Sequence, residues 1–125
     1  MYKRQIRQTA SPDGADRSIV RSGSLGEVAA ERATALSMAV AELLANAVEH
    51  GEGEIGLECW ADEAGLHVVV SDAGRGFPAD FAIADSARLG LRIVETLVRE
   101  ELRGSLSLHS AGGWTQVRVD IPREP

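Results

Sequence analysis

Residues 42–51, with the sequence ELLANAVEHG, carry the side chains of this chain that are best suited to chemistry. A helix would place four of them on one face, because they are spaced at i, i+4, i+7 and i+8: Glu42, Asn46, Glu49 and His50. Carboxylate and amide oxygens suit a hard cation such as Mg²⁺, which completes its coordination shell with water. A solvated helix surface would use such residues too, but it usually mixes in Lys and Arg. Neither occurs between Arg32 and Arg75.

A second group of candidate residues lies in the sequence SDAGRGF at residues 71–77, directly after a predicted strand. The carboxylate of Asp72 can accept a hydrogen bond from an exocyclic amine such as that of adenine. Gly74 and Gly76 would let the backbone approach a flat ligand closely, because glycine has no side chain. A turn at the end of a strand favours the same residues, so this D-x-G-x-G pattern leaves ligand binding and a simple turn both open.

Two shorter motifs follow later in the chain. Gly90, in the sequence LGL at residues 89–91, begins a predicted helix and would let phosphate groups approach its free N–H groups and its positive end. The sequence GGWT at residues 112–115 predicts a hairpin turn. Each motif also has a purely structural interpretation, as a helix start and as a connection between strands.

Two helices are predicted to position these motifs, because apolar residues recur at helical spacing in two segments. The first runs from about residue 34 to the glycine at 51, and its inward stripe contains Leu36, Val40, Leu43, Ala47 and Val48. The second covers residues 89–102, and its apolar residues include Ile93, Val94, Leu97 and Val98. Both helices are therefore expected to bury one side against a common core.

Alternating apolar and polar residues predict four strands, at residues 55–59, 66–70, 106–109 and 114–121, and a possible short edge strand at residues 17–22. Together these elements predict an α+β fold, a two-layer sandwich with helices on one face of a mixed, mostly antiparallel sheet. We expect residues 1–16 to be a poorly ordered lead-in, residues 17–122 to form the domain, and residues 123–125 to be a short tail.

Composition narrows the class of protein further. A length of 125 residues suits one domain, and the net charge of −6 disfavours non-specific binding to nucleic acid. The single cysteine, Cys59, excludes an intramolecular disulfide. No apolar run approaches the roughly 18 residues that a membrane span requires, and the first residues lack the apolar stretch of a signal peptide. We therefore expect a cytoplasmic location and no membrane span.

In this fixed order, the four motifs resemble those of the histidine-kinase-type (GHKL) ATPase superfamily, which also contains gyrase-like, chaperone and mismatch-repair ATPases. The N box of that superfamily is similar to Glu42, Asn46, His50 and Gly51. Its glycine-containing boxes are similar to Asp72, Gly74, Gly76 and Phe77, to Leu89, Gly90 and Leu91, and to the segment from Gly112 to Thr115. The resemblance covers about residues 17–122 and is closest to the catalytic domain of bacterial two-component sensor histidine kinases of the second dimerisation-domain class. It implies a Bergerat-type ATP-binding fold.

The resemblance also implies a role for each of these residues. Asn46 would ligate the Mg²⁺ that bridges the phosphates of ATP. Glu42 would orient the attacking group or hold a Mg²⁺-bound water, and His50 would donate a hydrogen bond near the phosphates. Glu42 and His50 are thus the expected catalytic residues, and Asn46 is the expected metal ligand.

The remaining implied roles concern the nucleotide. Asp72 would accept a hydrogen bond from the adenine amine, with Thr115 behind it. The base would be admitted by Gly74, Gly76 and Phe77. The phosphates would lie against Leu89, Gly90 and Leu91, with Arg88 or Arg92 adding positive charge. The chain departs from the superfamily pattern before Leu89, where residues 86–88 contain no glycine, and at Trp114, which stands in place of a glycine.

A phospho-acceptor histidine is not evident, because none of His50, His67 and His109 lies in an acceptor motif on a helix. His67 and His109 are expected to be ordinary surface or edge residues. The implied partners are therefore a separate dimerisation domain that carries the acceptor histidine and, through it, a response regulator. Two alternatives stay open: a free-standing anti-sigma-factor serine kinase of the same fold, and a module that binds a partner protein without catalysis.

Overall fold

The fold was analysed in a computed structural model, which describes residues 6–9, 18–74, 89–111 and 113–123. The main helix, α1, spans Ala30–His50. It begins about four residues before the predicted start, because its first turn is rich in good helix formers although it lacks an apolar stripe. It ends at Gly51, whose N–H donates a hydrogen bond to the Ala47 carbonyl oxygen over 2.9 Å.

In the described ranges, six strands form one sheet. They are β1 (Ile6–Thr9), β2 (Ser18–Gly23), β3 (Ile55–Asp62), β4 (Gly65–Asp72), β5 (Ser105–Ala111) and β6 (Trp114–Pro122). Their order across the sheet is β1-β2-β3-β4-β6-β5, and only β2 and β3 run parallel, with α1 as the connection between them. The predicted strands are all present. The four that alternation predicted are longer than expected, whereas β2 has the expected length and is shifted by one residue.

The N-terminal part of the chain corrects two expectations. The segment expected as a lead-in, residues 1–16, includes β1, which pairs antiparallel with β2. A strand needs only backbone pairing, and this contribution leaves no sign in the hydrophobic pattern. Because β1 lies outside it, β2 is an interior strand and not the predicted edge strand. The proposed domain boundaries at residues 17 and 122 stay a prediction.

The second helix also differs from its prediction. An α-helix, α2, spans Leu89–Thr96, and a π-helical segment, Leu97–Glu101, continues it. Along α2 and its continuation, the core residues are Leu91, Val94, Val98 and Leu102, each no more than 1% exposed. Ile93, expected to face inward, is 39% exposed instead. Since Leu91 and Leu102 complete the apolar stripe, the stripe turns away from Ile93.

Both helices pack on one face of the sheet, which confirms the predicted two-layer α+β fold. The core consists of α1 side chains, the apolar residues of α2 and its π-helical continuation, and alternate residues of the central strands. Leu43, Val68, Val94 and Ile121 are among its fully buried members. No helix in the described ranges is both long enough and apolar enough to cross a membrane.

Candidate functional site

The C-terminal ends of α1 and β4 meet beside the beginning of β6. Asp72, the last residue of β4, lies directly opposite Thr115 in the β4–β6 register. Both residues continue the alternation that turns Val70 and Val117 toward the helices. The D-x-G-x-G motif and the last motif are therefore adjacent on the helix-bearing face of the sheet.

The carboxylate of Asp72 is held by backbone groups on one side only. Its Oδ1 accepts a hydrogen bond from the Gly74 N–H over 2.7 Å and a longer one from the Glu52 N–H over 3.4 Å. The Ala73 N–H donates to the Glu52 carbonyl oxygen over 2.8 Å, which ties the same two segments together. No group in the described part of the chain donates to Oδ2. This oxygen is consequently available as an acceptor for a ligand.

Thr115 carries a buried hydroxyl without a partner. The residue is 7% exposed, and its Oγ1 has no hydrogen-bond partner among the described residues. A buried polar atom without a partner costs free energy, and native structures usually satisfy such atoms with water or a ligand. Its place opposite Asp72 indicates that the same ligand can satisfy both side chains.

Glu42 lies close to the first turn of α2. It is half-buried, and a methyl group built on Gly90 would stand only 2.9 Å from its Oε2. Asn46, one turn further along α1, is half-buried as well. The structure thus brings Glu42 beside the first turn of α2, whose N–H groups have no partner within the helix.

Asn46 as a ligand, with Glu42 beside it to hold a bound water, would fit a magnesium ion that also binds a phosphate ligand. They supply a carboxylate and an amide oxygen, which are the donors that Mg²⁺ prefers. The described residues contain no group of three or more His, Cys, Asp or Glu side chains that could form a metal cage by themselves. Mg²⁺ usually keeps several waters and takes further oxygens from substrate phosphates, so the Asn46 oxygen and a water held by Glu42 are compatible with such an ion.

His50 is less closely associated with the site. It lies at the exposed end of α1, with its Nε2 3.7 Å from Oε2 of the exposed Glu49. No described contact joins it to Glu42, Asn46 or Asp72. Its catalytic role stays a prediction.

Several other predicted site residues differ in how far the structure describes them. Gly76, Phe77 and Arg88 lie outside the described residues, and of Leu89 only the backbone is described. The side chain of Leu91 is fully buried in the core. Leu91 can therefore meet a ligand only through its backbone N–H.

Trp114, which stands where a glycine was expected, is 42% exposed at the beginning of β6. It borders an open cleft of about 300 Å³. The other residues that line this cleft are Glu54, Ser71, Asp72, Ala73 and Gln116.

The expectation that His67 is an ordinary surface residue is wrong. Its ring is buried on the helix-free face of the sheet, and the residue is only 6% exposed. Nδ1 lies 2.6 Å from Asp120 Oδ1, and Nε2 lies 2.8 Å from Asp62 Oδ1. The ring stacks on Trp60 with centroids 5.0 Å apart, and the Arg118 Nε donates to the same Asp120 carboxylate over 2.9 Å.

This arrangement, the His67 network, favours the charged imidazole, because only imidazolium can donate from both ring nitrogens. Hydrogen bonds to Asp62 and then to Asp120 raise the pKa of His67, although burial opposes them. The network depends on the register of β4 against β6, in which His67 and Asp120 are directly opposite. That register cannot be obtained from hydrophobic alternation alone.

Comparisons with known proteins agree with this geometry. A protein-family model described as histidine kinase-, DNA gyrase B- and HSP90-like ATPase matches residues 31–125. The sensor histidine kinase PdtaS of Mycolicibacterium smegmatis is 44% identical over 111 residues, which cover 83% of this chain and 22% of that protein.

Solved structures give the same result. The histidine kinase domain of the Erythrobacter litoralis EL346 blue-light activated histidine kinase has a TM-score of 0.74 at 31% identity, covering 87% of this chain and 52% of that chain. The ATP binding domain of PrrB from Mycobacterium tuberculosis has a TM-score of 0.65 at 24% identity, covering 88% of this chain and 81% of that chain. The second likeness shows the fold alone.

The chain therefore belongs to the family of histidine kinase-, DNA gyrase B- and HSP90-like ATPases, as its motifs predicted. Among these, its similar proteins are sensor histidine kinases. The chain spans only 22% of the length of the PdtaS relative.

Proposed function

We propose that this chain is the ATP-binding catalytic domain of a sensor histidine kinase. It transfers the γ-phosphate of Mg-ATP to a histidine on a separate dimerisation domain, in two-component signal transduction. The observation that carries the proposal is the half-satisfied carboxylate of Asp72. Among the described residues, backbone N–H groups donate to Oδ1 and none donates to Oδ2, and the hydroxyl of Thr115, opposite Asp72 in the register, has no partner.

Adenine fits this pair of groups. Its exocyclic amine donates to Asp72 Oδ2, and Thr115 Oγ1, which can both donate and accept, reaches the same base. Gly74 and Gly76 leave room for the flat ring, and Phe77 follows them in the motif. A hydrogen bond to a charged acceptor contributes about 1.5–3 kcal/mol, which is enough to select one base over another.

The phosphates fit the region between α1 and α2. The backbone N–H groups at Leu89, Gly90 and Leu91 have no partner within the helix and are suited to bind anionic oxygens. Arg88 or Arg92 adds positive charge there. Glu42 orients the attacking imidazole or would hold a Mg²⁺-bound water, and His50 donates a hydrogen bond near the phosphates.

Asn46, with water and the phosphates, would hold a magnesium ion. That ion would neutralise the charge that develops during phosphoryl transfer, a reaction that depends mainly on positioning and electrostatics.

The partners follow from the reaction. The acceptor is a histidine-bearing dimerisation domain, and a response regulator receives the phosphate from it. The net charge of −6 gives no electrostatic support for binding nucleic acid. Because the substrate is ATP, the domain works in the cytoplasm.

Phosphate transfer to a separate acceptor tests the proposal. The chain is incubated with radioactive γ-labelled Mg-ATP and a purified histidine-bearing dimerisation domain of a sensor histidine kinase from the same family. We expect acid-labile, alkali-stable label on that domain, and very little with Asp72→Asn. Transfer of acid-stable label to a serine of an anti-anti-sigma protein, without label on the histidine domain, would instead identify a serine kinase.

A further inference from the structure

We infer that Gly51 is a positioning residue for base specificity: its missing side chain makes the space in which the Asp72 carboxylate is held for adenine. This inference rests on the proposed function, because it concerns the same nucleotide site. In this proposal Gly51 does not touch the nucleotide. It acts only through Asp72.

The backbone of Gly51 does not explain why a glycine stands there. Glycine often ends a helix because it adopts a positive φ, but Gly51 has φ −95° and ψ −175°, an extended conformation open to any residue. Its N–H caps α1 by donating to Ala47, which any residue except proline could do. The reason for glycine must therefore be space.

The space beside Gly51 is filled by the carboxylate of Asp72. A methyl group built on Gly51 would lie 2.5 Å from Oδ2 and 2.6 Å from Oδ1, and closer still to Cγ. Real methyl carbons do not approach heavy atoms within 3.0 Å. An alanine at this position would require the carboxylate or the chain around it to move.

The carboxylate has little freedom to move while keeping its hydrogen bonds. Gly74 N–H and Glu52 N–H both hold Oδ1, and Glu52 is the residue that follows Gly51. A methyl group built on Gly74 would lie 2.7 Å from the Asp72 Oδ1 and 3.3 Å from the Gly51 Cα. Gly51, Asp72 and Gly74 thus form one tightly packed group in which the Asp72 side chain has a single place.

Gly51→Ala should therefore misplace the adenine acceptor without removing it. Affinities for ATP and GTP are measured by calorimetry for the wild type, Gly51→Ala and Asp72→Asn. We expect Gly51→Ala to weaken ATP binding about tenfold or more, the typical effect of losing a hydrogen bond to a charged group. Its GTP affinity should stay within about twofold, because guanine offers no amine at that position.

Gly104→Ala is the matched control. It also places a methyl group in occupied space, against the Asp120 backbone oxygen, but at the other end of the sheet. It should lower the melting temperature and leave the ratio of ATP to GTP affinity unchanged. A merely structural role for Gly51 would likewise leave that ratio unchanged, and such a result would overturn the inference.

A folding failure would also be informative. If Gly51→Ala shows no cooperative thermal transition, the clash can be relieved by combining it with Asp72→Ala, which removes all three atoms that the methyl group would meet. The double variant should then regain a transition close to that of Asp72→Ala alone. A double variant that stays unfolded would show that Gly51 has another structural role.

The two proposals fail in different ways. If Asp72→Asn binds ATP as tightly as the wild type, the assignment of adenine to Asp72 is wrong, and the proposed site fails. If Asp72→Asn loses ATP affinity and a folded Gly51→Ala does not, only the role of Gly51 is wrong. When both are right, adding Gly51→Ala to Asp72→Asn changes ATP affinity far less than it does in the wild type.

Discussion

At the scale of single residues, the site depends on which atoms already have partners. Within the part of the chain that the structure describes, Asp72 receives hydrogen bonds at one carboxylate oxygen only, and the buried hydroxyl of Thr115 has no partner. Glu42 and Asn46 lie one helical turn apart on α1, and Glu42 is near the first turn of α2. Adenine and phosphate are thus assigned to two neighbouring groups of residues, which separate substitutions can test.

Asp72→Asn removes the acceptor for the adenine amine, because an asparagine must use its oxygen for the Gly74 N–H. We expect ATP affinity to fall about ten- to a hundredfold, corresponding to about 1.5–3 kcal/mol, while GTP affinity changes much less. Calorimetry on the folded variant measures both affinities. Glu63→Gln, an acid-to-amide change in an exposed turn, is the control and should have no effect.

Asn46→Ala tests the metal site. Removing the amide oxygen should abolish most of the increase in ATP affinity that Mg²⁺ gives, and leave weak binding in the presence of a chelator. Titrations with ATP at several Mg²⁺ concentrations measure this dependence. Ser37→Ala, at an exposed position on the same helix, should keep the Mg²⁺ dependence of ATP affinity. A wild type that binds ATP equally with and without Mg²⁺ would remove the basis for this assignment.

The sequence predicted these residues well where local spacing decides their position. The i, i+4 relation of Glu42 and Asn46 and the Asp-Gly pattern after β4 are local, and both segments were placed correctly on a helix and at a strand end. Contacts between distant segments were not predictable in this way. The proximity of Glu42 to Gly90, and that of Gly51 to Asp72, depend on how α1 packs against the rest of the chain.

At the scale of elements, β4 connects two polar centres. Asp72 at its end belongs to the proposed nucleotide site, whereas His67, near its beginning, joins the β3–β4 hairpin to β6 on the opposite face. Between them, Val68 and Val70 are buried in the core. The strand therefore fixes both centres relative to one core.

The His67 network predicts a defined pH dependence of stability. Folding raises the pKa of His67. The stabilisation that His67 gives to the folded state is therefore complete below the ordinary histidine pKa of about 6.5, and it is lost as the pH rises through the raised pKa. Hydrogen bonding to His67 lowers the pKa of Asp62. Burial opposes a similar lowering of the Asp120 pKa by His67 and Arg118. The stabilisation that the Asp62 and Asp120 carboxylates give to the folded state is therefore present above about pH 3.9 and is lost as the pH falls through their lowered pKa values.

His67→Gln should accordingly destabilise the protein most in the mildly acidic range, by a few degrees Celsius in melting temperature at about pH 6. Thermal melts of the variant and the wild type across the pH range measure the difference. It should shrink toward alkaline pH, and also toward strongly acidic pH. His109→Gln, at an exposed position on β5, is the control. A constant difference at all pH values would show that His67 acts only through packing.

Elements were predictable to the extent that they carry a hydrophobic period. The main helix and four of the strands have one, and they were found. The strand β1 and the π-helical segment were not, because the first depends on backbone pairing with β2 and the second is a local widening within a helix that apolar spacing does not distinguish. Neither leaves a distinct pattern in the sequence.

At the scale of the whole molecule, the catalytic and acceptor functions lie on separate domains in this proposal. None of the three histidines lies in an acceptor motif, and His67 is buried between two carboxylates. Proximity supplies much of the rate in phosphoryl transfer, and a chain without a positioned acceptor lacks it. The chain alone should therefore bind ATP and hardly phosphorylate itself.

Incubation of the isolated 125-residue chain with radioactive γ-labelled Mg-ATP measures this directly. We expect nucleotide binding by calorimetry and almost no acid-labile label on the chain. A preparation supplemented with a histidine-bearing dimerisation domain is the positive control. Strong acid-labile labelling at His50, His67 or His109 would show that the acceptor lies within this domain.

The backbone donors on the Asp72 carboxylate also determine how an amide would be oriented there. Gly74 N–H and Glu52 N–H require an oxygen, so an asparagine at position 72 must turn its NH₂ group toward the ligand. Guanine and hypoxanthine present a carbonyl oxygen where adenine presents its amine. If the proposed site is right, exchanging one atom at this position would therefore shift the preference of the domain from adenine toward 6-oxopurine nucleotides.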